Sequence, residues 1–255
     1  MSQLRTLGRQ VGWEQRSYWR NPAAATFTFA FPLLFLIIFV ALNGNARVSL
    51  EGGNVRFAQY YVPAIVSFGL ISACYTNLAF TVCNRRERGL LKRTRGTPLS
   101  PVVYLGGILG NVLVVAVILT ALVIALGLLF YGVTFPGRYL ALLVTTVTGA
   151  FCFSAIGIAV STFVPNEDAA PAIINFILFP LLFISGTFGA VQATSVLGQI
   201  ANVFPVRHLI QSMVAVFDPF RTGSGIRVSD LAVMIAWGLG GVAVSLLRFR
   251  WEPRR

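Results

Sequence analysis

Six of the chain's 20 lysine and arginine residues fall within eleven positions: Arg85, Arg86, Arg88, Lys92, Arg93 and Arg95. They belong to the segment 84–100, Asn84-Arg85-Arg86-Glu87-Arg88-Gly89-Leu90-Leu91-Lys92-Arg93-Thr94-Arg95-Gly96-Thr97-Pro98-Leu99-Ser100. Cations at this density are suited to meeting acidic groups on a partner protein, and Leu90 and Leu91 to anchoring in an apolar pocket. Gly96-Thr97-Pro98 ends a helix and redirects the chain. The same charges also orient the flanking apolar stretches in a membrane.

Other chemistry is missing. A phosphate-cradling Walker A loop needs Gly-x-x-x-x-Gly-Lys, and the only lysine, Lys92, follows Leu91. The chain therefore hydrolyses no ATP by itself and binds no cofactor of its own. The one histidine, His208, supports neither a serine–histidine–acid set nor a metal site. Cys74, Cys83 and Cys152 read as small buried apolar residues. None of the eight acidic residues falls in the middle of an apolar stretch, which argues against proton or sodium coupling. Asn77, Asn111 and Asn175 are the main polar side chains within or near these stretches. Hydrogen bonds between helices are their first reading and a substrate contact the second.

The elements that carry these residues must be membrane helices. The chain is 56% hydrophobic and 11% charged, where a soluble domain averages about 25% charged residues. Six stretches are long and apolar enough to span a bilayer: 22–42, 59–82, 102–131, 139–164, 170–189 and 229–247. The first is longer than a signal-peptide core, so it is expected to be retained. Fourteen Lys and Arg lie on one side of these spans and six on the other. The side with fourteen is expected to be cytoplasmic, with both termini inside. The formal charge of +12 then reflects topology and not nucleic-acid binding.

Residues 1–21 read as an amphipathic helix at the cytoplasmic interface. Leu4, Leu7 and Val11 recur at helical spacing, and Trp13, Tyr18 and Trp19 favour the headgroup region. Pro32, Pro171 and Pro180 predict kinks, and Gly106, Gly107 and Gly110 a close helix approach. The outer segment 188–222 is too polar to cross and too apolar for a free loop. It reads as two short re-entrant helices broken at Pro205. The fold is thus an all-α polytopic membrane protein forming one transmembrane domain over 1–255.

In this order the pieces resemble the type-2 ABC transporter permeases, the exporter class that includes drug-resistance permeases. Glu87-Arg88-Gly89, Lys92-Arg93 and Thr97-Pro98-Leu99-Ser100 are similar to the family's segment after its second span. Phe179 to Phe188 resembles the end of its fifth span, Phe204-Pro205-Val206-Arg207-His208-Leu209 its outer Pro-x-x-His-Leu element, and Arg248 to Arg255 its C-terminal tail. Gly189-Ala190-Val191 departs from the proline that many relatives carry there.

The resemblance implies a six-span permease of the bacterial inner membrane. It would pair with a second permease, as a homodimer or with a sister subunit, and bind two copies of a separate ATPase that uses ATP and Mg. Its 84–100 loop would dock on that ATPase through Arg85, Arg86, Glu87, Arg88, Gly89, Leu90, Leu91, Lys92, Arg93, Thr97 and Pro98. Alternating access would then move a hydrophobic or amphipathic cargo outward, be it a drug, a lipid or a lipid-linked glycan. Phe188, Pro205 and His208 are expected to form an outer gate. The alternatives are a membrane scaffold for an ATPase that moves no cargo, and an ion-coupled carrier.

Overall fold

The structure, a computed structural model, describes residues 3–43, 46–50, 52–91, 96, 99–188 and 195–248. Hydrocarbon offers backbone groups no hydrogen-bonding partner, so long apolar runs fold as helices. Helix α1 (Gln3–Trp19) precedes α2 (Pro22–Asn43), and α3 (Phe57–Ile71) passes through a π-helical turn (Ser72–Asn77) into α4 (Leu78–Glu87). Then come α5 (Pro101–Phe130), α6 (Tyr139–Ser161), α7 (Ala170–Ile184), α8 (Val196–Ala201), α9 (Pro205–Phe217) and α10 (Val228–Arg248).

Among the described residues, five helices are long and apolar enough to cross a membrane: Ala25–Asn43, Phe57–Glu87, Val103–Phe130, Tyr139–Ser161 and Val228–Arg248. Within the expected fifth span, 170–189, the helix is the 15-residue α7. At about 1.5 Å per residue it reaches ~22 Å, short of the ~30 Å hydrocarbon core. It stops because Gly186 adopts a φ of 92°, a left-handed turn that ends a helix. Among the described residues the strands form one hairpin, in the first connection. Strand β1 (Arg47–Leu50) pairs antiparallel with β2 (Gly53–Arg56), Val48 opposite Val55.

Antiparallel succession gives the bundle two ends. One, the loop end, gathers α1, the end of α4 and the turn after α6. The other, the hairpin end, gathers β1, β2, α8 and α9. There, Gln59 donates to the carbonyls of Thr134 and Phe217, both at 2.8 Å. Arg138 donates to the carbonyls of Ala215 (3.0 Å), Asp218 (2.8 Å) and Arg221. The bonds to Ala215, Phe217 and Asp218 satisfy carbonyls at the end of α9 that its own helix leaves open. Segment 188–222 does contain two short helices, α8 and α9, with Pro205 at the first turn of α9, where a missing N–H costs nothing.

The core lies between α3, α5, α6, α9 and α10, with Tyr61, Ile65, Leu70, Leu119, Leu209 and Phe217 all buried. Phe27, Leu34, Ile38 and Leu42 on α2, and Phe176 and Phe183 on α7, are exposed. Helices apolar on their outer faces as well are suited to lipid.

Helix α1, expected at the cytoplasmic interface, packs against the bundle. It seats in the glycine groove of α5: a Cβ on Gly107 would fall 2.2 Å from Cγ of Gln10, and one on Gly110 2.6 Å from Cγ2 of Val11. Gln15 also donates to the carbonyl of Asn111 at 3.2 Å. Leu4, expected on the same stripe, is exposed instead.

Candidate functional site

Helix α4 ends where its charged residues begin. Gly89, at φ 66°, supplies the left-handed turn after Arg88, so Glu87 and Leu90 do not share one continuous helix. Helix α5 restarts with Ser100 capping it, its hydroxyl accepting from the N–H of Val103 at 3.3 Å.

The arginines of this segment part company. Arg85 turns inward and meets Glu14 of α1 as a fork, Nη1 to Oε1 at 2.8 Å and Nη2 to Oε2 at 2.6 Å. Its Nη1 also donates to the hydroxyl of Tyr104 at 3.0 Å. Gln10 donates to the same carboxylate at 3.1 Å. Two-pronged guanidinium–carboxylate pairs are among the stronger polar contacts. This one is screened from water, since Glu14 is 7% exposed.

Arg86 is buried more deeply, at 3%. It donates to the carbonyl of Ser161 at 2.9 Å and to that of Val164 at 2.6 Å. These lie at the C-terminal end of α6, where carbonyls lack helical donors and a cation is favoured. Glu87 sits 3.5 Å from Arg86. Leu91 is 1% exposed. Arg85 thus turns toward α1 and Arg86 toward the end of α6, while Leu91 is buried in the core cluster.

Arg88 and Leu90 remain on the surface. The Arg88 side chain is 67% exposed and only loosely paired with Glu167, at 3.8 Å; Leu90 is 41% exposed. Lys92, Arg93, Thr97 and Pro98 lie outside the described residues.

Sequence reasoning missed Glu14 and Tyr104. A signal for Glu14 was present: it falls seven residues after Leu7 and three after Val11, on the stripe α1 buries. An acid on an apolar stripe implies a cation to meet it.

At the hairpin end the three expected gate residues join different neighbours. The Phe188 ring lies 4.9 Å from Phe183, 5.5 Å from Phe35 and 5.6 Å from Phe39. Pro205 opens α9. His208 turns to α10, its Nδ1 2.7 Å from Oδ1 of Asp230 and its Nε2 2.8 Å from the carbonyl of Asn202. Both partners are acceptors, so the geometry is fully satisfied only when both ring nitrogens carry hydrogen. The bond to Asp230 accordingly raises the His208 pKa above its ordinary value, against the opposing effect of burial. Arg227 completes the cluster as the second cation on Asp230. Trp237 ties α10 to the same turn, donating to the carbonyl of Val203 at 2.8 Å.

Among the described residues no group of histidine, cysteine and acidic side chains is arranged to hold a metal.

Comparison with known proteins adds a family match over most of the chain. The profile of the family described as "ABC-2 type transporter" matches residues 7–217. The chain is also similar to the "Inner membrane transport permease YadH" of Escherichia coli K12, at 22% identity over 207 residues, covering 81% of this chain and 77% of that protein. The counterpart from Shigella flexneri matches to the same extent.

Proposed function

The chain belongs to the ABC-2 type transporter family, and from that premise we propose that it is the membrane-spanning subunit of an ATP-driven exporter. Membership makes it a transport permease, and its relatives place it in the bacterial inner membrane as a multi-pass protein. Family membership further implies an ATPase partner, in keeping with a sequence that holds no Walker A loop. The finer reading is ours: six crossings with α7 as the fifth, both termini cytoplasmic, a pair of permeases, and two ATPase subunits docked at the loop end.

The observation that carries the reading is the bond between Glu14 and Arg85. It ties α1 to the foot of α4, one turn before the surface cations begin. In this proposal Arg88 and Leu90, with Lys92 and Arg93, touch the ATPase. Arg85, Arg86, Glu87 and Leu91 take the pull of that contact into α1 and α6, and Gly89, Thr97 and Pro98 shape the turns. Closure of the ATPases on ATP moves the loop, α1 follows, and the path between paired permeases opens outward. At the far end Phe188, Pro205 and His208 close the exit until α9 shifts against α10.

Copurification tests the docking half. A tagged chain extracted in mild detergent should bring down a Walker A ATPase, and joint charge reversal, Arg88→Glu, Lys92→Glu and Arg93→Glu, should release it while membrane insertion persists. Equal recovery of the ATPase with the reversed chain would overturn the assignment.

A further inference from the structure

A cleft of about 640 Å³ opens between α1, α2, the π-helical turn, α4, α5 and α7. Its size suits a small ligand or one end of an amphiphile. Asn77, Asn111 and Asn175 come from three different helices and all line it. They are not spent on one another. No hydrogen bond joins the side chains of Asn77 or Asn175 to any group among the described residues, and Oδ1 of Asn111 is buried without a partner. Amides in an apolar bundle carry a cost unless something accepts and donates to them.

The π-helical turn adds the hydroxyls of Ser72 and Thr76 to the same wall. Such wide turns recur at functional sites. This one is held from behind: a Cβ on Gly157 of α6 would fall 2.9 Å from the carbonyl oxygen of Tyr75 and 3.1 Å from its Cα. The backbone of α6 therefore lies directly against the turn.

Charge narrows the ligand. Among the described residues the ionic groups on the cleft are Glu14 and Arg85, and they neutralise each other at 2.6 Å. A cationic head finds no spare carboxylate there, and an anionic head no spare guanidinium. Phe31, Phe68 and Phe179 supply the apolar part of the wall. Amides and hydroxyls beside aromatic rings, with no net charge, match a head rich in hydroxyl or amide groups on an apolar body.

We propose that this cleft binds the uncharged, hydroxyl- or amide-bearing head of an amphiphile, as in a neutral glycolipid, with its chain along the phenylalanine wall. The proposal rests on the transport reading for its purpose, and its binding step needs no ATPase.

The test uses the full chain in lipid nanodiscs and a photoactivatable dodecyl maltoside bearing a diazirine on its chain. Saturable labelling should map near Phe31, Phe68 and Phe179. Unlabelled dodecyl maltoside should compete, whereas dodecyl phosphate and dodecyltrimethylammonium should not. Asn77→Leu and Asn175→Leu should each weaken saturable labelling about tenfold. Asn175→Asp should confer competition by the cationic amphiphile, a gain that no loss of folding imitates. Equal competition by all three heads, or labelling unmoved by these substitutions, would overturn the cleft assignment. That result would leave the exporter reading standing if the ATPase still copurified. Labelling as expected without an ATPase would do the reverse.

Discussion

The two ends of the bundle each bury a small ionic cluster, and the two are built from different groups. At the loop end Arg85 and Glu14, 71 residues apart in sequence, join α1 to α4. At the hairpin end His208 and Asp230, 22 residues apart, join α9 to α10 with Arg227 alongside. The first holds α1 against the core, and the second joins two helices that themselves enclose the core. A guanidinium keeps its charge throughout the physiological range, so the cation of the loop-end joint does not switch. Imidazole does not, so the hairpin-end joint depends on a proton. A joint that must transmit force wants the first kind; a joint that must let go can be built from the second.

The largest effect should come from breaking the loop-end joint alone. Glu14→Ala leaves Arg85 buried without its carboxylate and should destabilise the chain by about 3–5 kcal/mol. Thermal unfolding in detergent measures this, and the exchange of Glu14→Arg with Arg85→Glu should recover part of the loss. Next comes the groove that seats α1. Gly107→Val forces atoms into the space Gln10 occupies and should cost about 1–3 kcal/mol, read as a lower unfolding midpoint and faster proteolysis of α1.

The hairpin-end joint should show itself through pH. His208 has a raised pKa in the fold, so its contribution is complete below the ordinary value of about 6.5. It fades as pH rises through the folded value. Stability should therefore fall between mildly acidic and alkaline buffer, and His208→Gln should flatten that fall. The loop-end variants should keep it. The smallest effect belongs to Arg88→Ala, whose partner Glu167 is loose and wet. It should move stability by less than about 1 kcal/mol while weakening recovery of the ATPase.

Much of this architecture was legible in the sequence. Apolar length alone marks the helices of five spans, because a bilayer leaves the chain no other way to satisfy its backbone. The glycines at 106, 107 and 110 announced a close approach, although nothing local said that α1 would fill it. The features that escaped depend on contacts between distant residues. The π-helical turn has no composition of its own and lies where the α6 backbone presses on Tyr75. The hairpin is only four residues a side. Glu14 falls on the apolar stripe of α1, but nothing local names Arg85, 71 residues away, as its partner. The basic segment was visible as a cluster of charge, but which of its arginines turn inward was decided by the end of α6 and by α1.

The account turns on the Glu14–Arg85 joint carrying motion from the ATPase into the permease. The direct measurement is a pulsed-EPR distance between spin labels at exposed Trp13 on α1 and exposed Phe183 on α7, taken with and without ATP in the purified permease–ATPase complex. With Glu14 intact the distance should shift on ATP binding. With Glu14→Gln the ATPase should stay bound and the distance should not shift. An ATP-driven shift of unchanged size in the Glu14→Gln complex would contradict the account.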